Sequence, residues 1–465
     1  MKIQFLGATE YVTGSCHLLT LGRYSVLLDC GLIQGGFDDD EKNHQTFAFD
    51  PATIDAVILS HAHLDHSGRL PLLVKQGFTG PVYTHHASVE LCQVMLEDSG
   101  YLNERSVEWE NKKRERRGQP LLEPLYTQDD AKQALNNFNG IEYAKPLQIF
   151  PGITVTLFDA GHILGSAIVQ LDLAEHGEQR TVVFSGDLGH SGAPILKNPV
   201  TLHHANLVMM ESTYGNRLHR SWDETWQELG EIFQTARNDK GNILIPAFTV
   251  GRTQEILYMF GQHFEEWGLA DWQIFLDSPM AIETNRIYSK YSHIYNHLAL
   301  RRYKNCGNPF DLPNLHLTES TEASMNVNKI ASGAIVIAGS GMCTGGRIKH
   351  HLKHNLWRKH SHIVFVGFQA RGTLGRALVD GAKQVTLWGE TINVNATVHT
   401  IGGLSAHADQ DGLCNWYQHF NNRPLVKLVH GEADAQKVLI QKLKNDFNAP
   451  VSAAREGETL DLLKL

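Results

Sequence analysis

Six consecutive residues, His61-Ala62-His63-Leu64-Asp65-His66, constrain this chain more than any other stretch. They follow the apolar run Ala56-Val57-Ile58-Leu59, which reads as a buried strand. Four nitrogen and oxygen donors at the end of such a strand cannot all enter a core without a partner, since each unpaired buried polar group costs on the order of a few kcal/mol. A metal ion satisfies them. An extended turn sends His61 and His63 to one side, while Asp65 and His66 at the start of a following helix can reach a second ion. Imidazole and carboxylate without thiolate suit zinc, with manganese or iron as alternatives.

Other apolar runs end in the same way. Segments 24–29, 153–159 and 181–187 read as buried strands, each delivering a polar residue at its C-terminal end: Asp29, Asp159 and Asp187. Strand ends that feed one edge of a sheet converge, so side chains far apart in sequence can share a site. Spacing has to identify them, because the chain has 26 histidines and most must be ordinary surface or core residues.

Segment 90–135 reads as helical and charged. Its run Lys112-Lys113-Arg114-Glu115-Arg116-Arg117 reads first as a solvated helix face, because Glu residues flank and interrupt it; guidance of RNA is the other reading. Beyond Glu211 the chain settles into strand and helix units, with strands expected at 242–248, 334–338 and 363–367. That rhythm predicts a parallel sheet with crossover helices. The turns after these strands, Gly251-Arg252, Gly339-Ser340-Gly341-Met342 and Ala370-Arg371-Gly372-Thr373, can cradle phosphates through backbone N–H groups at helix starts. Arg252, Ser340, Gly341, Arg371 and Thr373 are therefore candidate contacts for a phosphate backbone such as that of RNA. No complete P-loop or dinucleotide fingerprint is present.

With 465 residues, two or three domains are expected. The net charge of −9 argues against a broad basic surface, so a polyanionic substrate needs a local positive site made by metals, helix starts and a few arginines. Six scattered cysteines without a C-x-x-C pair, no secretory leader in the first residues and no apolar run of spanning length point to the cytoplasm and to no membrane partner.

At the His61–His66 motif the chain resembles the metallo-β-lactamase superfamily. Asp29 matches the family's early aspartate, His162 in Gly161-His162-Ile163-Leu164-Gly165-Ser166 its third-histidine motif, and Asp187 in Ser185-Gly186-Asp187 its bridging aspartate. The resemblance implies two zinc ions, with Mn2+ as the alternative. His61, His63 and His162 would hold one and Asp65, His66 and a later histidine the other, with Asp187 between them and Asp29 orienting ligands from behind.

Further motifs are similar to the β-CASP nucleases, the group that includes the endonuclease subunit of the cleavage and polyadenylation specificity factor and related bacterial ribonucleases. They are Glu211-Ser212-Thr213-Tyr214-Gly215, Ile245 to Glu255, Gly367 to Gly375, Ser405-Ala406-His407-Ala408-Asp409 and Val429-His430-Gly431-Glu432. The likeness implies an α/β protein, a metallo-β-lactamase αββα sandwich (1–210 and 395–465) with an inserted α/β β-CASP domain (211–394). It implies a zinc-dependent ribonuclease in RNA processing with RNA as substrate, in which His430 completes the second metal's ligands and Asp187, His407, Glu211 and Asp65 carry catalysis. The Ser405-Ala406-His407 form leans towards endonucleolytic cleavage and leaves 5′ exonuclease action and a homodimer open. DNA-processing relatives carry valine at the position of His430, which favours RNA. Two other readings share the ligands: a small-molecule ester or thioester hydrolase, and a non-catalytic RNA-processing scaffold.

Overall fold

The computed structural model describes residues 1–35 and 39–465, which fall into two compact units. The first comprises residues 1–191, 198–218 and 407–465, and the second residues 192–197 and 219–406.

Two seven-stranded sheets build the first unit. One orders β22 (Thr459–Asp461), β1 (Lys2–Phe5), β2 (His17–Leu21), β3 (Tyr24–Leu28), β4 (Ala56–Ile58), β5 (Val82–His85) and β6 (Phe138–Ile141). The other orders β21 (Val451–Ala453), β20 (Leu425–Val429), β11 (Leu207–Glu211), β10 (Glu178–Phe184), β9 (Ala167–Glu175), β8 (Ile153–Asp159) and β7 (Leu147–Phe150). Strand side chains alternate between faces, and both faces of the second sheet are apolar. Val169, Leu171 and Val182 enter a core shared with Ile3, Phe5, Val26 and Ile58 of the first sheet. Ile168, Val183 and Val208 face the helices Gln410–Tyr417 and Ala433–Phe447 on the other side. This is the sandwich expected from the sequence.

The second unit centres on a six-stranded, wholly parallel sheet ordered β14 (Leu315–Leu317), β13 (Gln273–Leu276), β15 (Ala334–Ala338), β12 (Ile243–Pro246), β16 (His362–Phe365) and β19 (Thr397–Thr400). A hairpin of β17 (Gln384–Leu387) and β18 (Glu390–Asn393) is not hydrogen-bonded to it, but its Val385, Leu387 and Ile392 pack into one core with Val336 and Ile363 of the sheet. The central strands are buried throughout, as parallel strands covered on both faces must be.

The second unit starts later than the sequence boundary at 211 and ends later than 394. Glu211 terminates β11, whose hydrogen bonds run to β10 and β20, so the residue belongs to the first unit's sheet. At the other end β19 pairs with β16, which holds residues 397–400 in the second unit. The 192–197 segment joins it as well: Asn296 bonds the carbonyls of Ala193, Pro194 and Leu196 through its side chain and that of Ile195 through its backbone N–H. Among the described residues no helix is long and apolar enough to cross a membrane.

A candidate metal centre at converging strand ends

Strands β3, β4, β8, β10, β11 and β20 of the first unit each end at the site. Asp29 follows β3 with φ 59°, a left-handed conformation for which Asp is one of the tolerant residues. His61 follows β4 and is fully buried, and His63 is the cap of the short helix Leu64–Ser67, which carries Asp65 and His66. His162 follows β8, Asp187 follows β10, Glu211 ends β11 and His430 follows β20; all four are buried.

Ring nitrogens face one another at short range. His61 Nε2 lies 3.1 Å from His63 Nδ1, and His162 Nε2 lies 3.1 Å from the same atom. Asp187 Oδ2 stands 3.4 Å from His61 Nε2 and 3.6 Å from His162 Nε2. In a second set, His66 Nε2 and His430 Nε2 are 3.1 Å apart, with Asp65 Oδ2 3.4 Å from His430 Nε2 and 3.9 Å from His66 Nε2. Asp187 Oδ2 joins this set too, 3.2 Å from His66 Nε2. Four ligands at about 2 Å around a tetrahedral ion are separated by about 3.3 Å, so both sets have the spacing that a cation demands. The two sets meet at one carboxylate oxygen.

The surroundings fix which nitrogen faces inward. His66 Nδ1 contacts Asp29 Oδ2 at 2.7 Å, and Asp29 is held by the Ser60 backbone N–H at 2.7 Å and by the hydroxyls of Ser15 and Ser60, each at 3.0 Å. Ser60 Oγ also reaches His61 Nδ1 at 3.1 Å, and Thr213 Oγ1 reaches His430 Nδ1 at 3.1 Å. Such partners set tautomer and ring direction.

Electrostatics fit the same conclusion. Burial and the neighbouring imidazoles push His61 well below the ordinary histidine range, and burial takes His63 to about 4, so both are neutral donors. Burial alone would raise Asp187, but His430, His66 and His407 outweigh it and hold the carboxyl well below its usual range. Asp187 Oδ1 is buried without a hydrogen bond, with His430 Nδ1 3.4 Å away. Burial lowers His66 too, but there the carboxylates of Asp187, Asp29 and Asp65 outweigh it and hold the imidazole well above the ordinary range. Imidazoles converging on ionised carboxylates make a donor set that could hold metal.

His407 sits at the rim with its side chain 21% exposed. Its Nδ1 is 3.2 Å from Glu211 Oε1 and 3.9 Å from Asp187 Oδ2. Burial disfavours the imidazolium, but the carboxylates of Glu211 and Asp187 prevail and lift His407 to about 9. Glu211 is held in turn by the backbone N–H of Leu188 at 2.7 Å. Glu211 also forms a third possible ligand group with Asp187 and His430.

Every metal-site residue expected from the sequence is in this cluster, with Asp29 behind it. Ser15, Ser60 and Thr213 were missed; Ser60 directly precedes the histidine motif and Thr213 lies inside the Glu211 motif, so adjacency alone could have flagged those two.

The RNA-contact expectations fare unevenly. Arg252 is a correction: it is 6% exposed, and its guanidinium is 2.5 Å from Glu255 Oε2 inside the second unit. A buried charge keeps its partner because separating them is costly. Arg252→Ala should lower the stability of this unit by about 3–5 kcal/mol, read as an earlier denaturant transition. A loss of RNA affinity at unchanged stability would restore the contact role. Thr373 is buried at 9%, with its hydroxyl spent on Ala370 O and on capping the helix Leu374–Val379, so it orders its loop instead of meeting solvent. Arg371 is exposed, and Ser340 and Gly341 lie at the carboxyl end of β15.

Phe248, which sequence reasoning missed, joins these loops. A Cβ at Gly341 would lie 2.9 Å from its ring and one at Gly367 3.3 Å, so glycine at both positions leaves room for the aromatic. The ring stays 39% exposed. Gln369 Nε2 ties the same loops through Gly341 O at 2.9 Å and Gly367 O at 3.1 Å.

Residues 18–213 match the metallo-β-lactamase superfamily domain, 253–378 the Beta-Casp domain, and 391–454 the Zn-dependent metallo-hydrolase RNA specificity domain. Ribonuclease TTHA0252 of Thermus thermophilus is 40% identical over 458 residues, covering 98% of this chain and 99% of its own. The transcription termination factor FttA of Pyrococcus abyssi is 31% identical over 481 residues, covering 99% of this chain and 71% of its own. A solved structure from Enterococcus faecalis V583, described as a protein of unknown function, superposes with a TM-score of 0.57 at 14% identity and covers 99% of both chains.

Proposed function

The chain belongs to the β-CASP family of metallo-β-lactamase-fold hydrolases, and from that premise we propose that it is a zinc-dependent ribonuclease cleaving RNA phosphodiester bonds, chiefly at internal positions. One observation carries the reading: two ligand sets of metal-site spacing share Asp187 Oδ2, with the His407–Glu211 pair beside them. The names of the Thermus ribonuclease and of the RNA specificity domain support RNA as substrate.

His61, His63 and His162 would hold one ion and Asp65, His66 and His430 the other, with Asp187 common to both; zinc suits the donors, and manganese is the alternative. When bound, such a pair supplies Lewis acidity for the phosphoryl oxygens and water acidic enough to attack at neutral pH. The protein does the rest. Asp29 and Ser60 keep the His66 and His61 rings turned inward, while Asp187 and Asp65 set the direction of attack. His407, kept protonated by Glu211, donates a proton from Nε2 to the leaving ribose oxygen. On the second unit, backbone at Ser340 and Gly341, the Arg371 guanidinium and the Phe248 ring would receive the RNA strand, phosphates on the first three and a base stacked on the last. Six free thiols accord with a cytoplasmic location.

The test is cleavage of single-stranded RNA and DNA of one sequence side by side. RNA should be cut at least tenfold faster, and cutting should stop with chelator and return with zinc. Equal rates on both would remove RNA as the preferred substrate.

A further inference from the structure

The helix His86–Arg116 is the longest of the described residues, and each of its buried residues lies at or before Gly100. From Tyr101 onward it carries three large exposed apolar side chains: Tyr101 at 44%, Leu102 at 56% and Trp109 at 64%. Single exposed apolar residues need no explanation, but a group of them on one element marks a contact surface.

Its pattern is specific. Tyr101, Arg105, Trp109 and Lys113 recur every four residues; at about 100° and 1.5 Å per residue they form one ridge roughly 18 Å long. Aromatic and cation alternate along it. The Arg105 guanidinium stands 5.3 Å from the Tyr101 ring centre, and Lys113 Nζ stands 3.1 Å from that of Trp109. Lys112 and Arg116 project into the same arc and are exposed. The acidic residues fall at its margins, where Glu108 pairs with Arg105 at 2.9 Å and Glu110 with Lys113 at 3.3 Å. Residues 112–117 hold five cations and one acid in a chain of net charge −9.

We propose that this ridge is a second RNA-binding surface, on which bases of a single strand stack on Trp109 and Tyr101 while Arg105, Lys112, Lys113 and Arg116 meet the phosphates. Flat rings interleaved with cations are what a single-stranded polyanion with aromatic bases recognises. Charge complementarity selects this occupant over a second copy of the chain, because a two-fold interface would set the same cations against one another. The proposal rests on the ribonuclease reading for its choice of polymer. Of the two sequence readings of residues 112–117, it takes guidance of RNA over a solvated face.

Binding separates it from catalysis. The full chain carrying Asp187→Asn, which should not cleave, is titrated with labelled single-stranded RNAs of about 6 and about 24 nucleotides, with and without Trp109→Ala or Lys112→Ala/Lys113→Ala. Trp109→Ala should weaken binding of the long RNA about tenfold or more and leave the short one unchanged. The double lysine variant should flatten the dependence of log Kd on log salt by about 1.4. In the cleaving chain, Trp109→Ala should raise KM for the long RNA at constant kcat. Equal affinity of the Asp187→Asn chain with and without Trp109→Ala for the long RNA overturns the proposal, as does a Trp109→Ala chain that sediments as a monomer where the parent is a dimer. Failure of the ribonuclease reading would show instead as intact RNA with the unsubstituted chain, whatever the ridge binds.

Discussion

Replacing His63 and His66 together by alanine is expected to strip the metal from the protein and take RNA cleavage down to background. Each set loses a nitrogen that no neighbour can replace, because the remaining ligands come from strand ends whose backbones are fixed by the two sheets. His61 and His162 are then left with Asp187, and Asp65 and His430 with the same carboxylate. Two ligands and a shared oxygen do not hold a divalent ion at useful affinity. Elemental analysis of the double variant checks this. Metal content equal to that of the parent chain would defeat the ligand assignment, whatever the activity.

His407→Ala is the second large effect and should differ in kind: metal retained, RNA still bound, and the rate down by roughly 10²- to 10⁴-fold, the range for loss of a positioned general acid. His430→Ala should instead deplete metal, so the two histidines separate in one experiment that measures metal and rate together. Glu211→Gln should fall with His407. The pH profile gives the sign. A general acid works while protonated, so activity declines as pH rises past its pKa. The carboxylates of Glu211 and Asp187 lift His407 to about 9, and removing the Glu211 charge should move the alkaline limb to lower pH. A His407→Ala protein that loses metal would make His407 a ligand, as its 3.9 Å approach to Asp187 Oδ2 allows.

What was legible in the sequence follows from how local each constraint is. His61, His63, Asp65 and His66 lie within one turn after a strand, so their chemistry could be read from spacing. His162, Asp187 and His430 are single residues at distant strand ends. Nothing local distinguishes them from turn formers, and only the ordered likeness to a family picked them out. Arg252 shows the limit in the other direction: a glycine–arginine turn at a helix start looks like a phosphate cradle until Glu255, one helical turn on, claims the guanidinium. The compact units part after residue 218, not at Glu211, and β-pairing partners such as β20, some two hundred residues away, carry no local mark that would show this. The ridge on the helix His86–Arg116 was visible as charge but not as a surface; its four-residue aromatic and cationic alternation has meaning only once the helix is known to continue past its buried part.

The central claim, that the shared carboxylate and the six surrounding donors form a metal-dependent ribonuclease site, is tested most directly by one incubation of the purified chain with RNA labelled in turn at its 5′ and 3′ ends. The account predicts internal fragments from both labels, their loss on chelation and their return with zinc. RNA that stays intact in the presence of a chain carrying its full complement of zinc would contradict it.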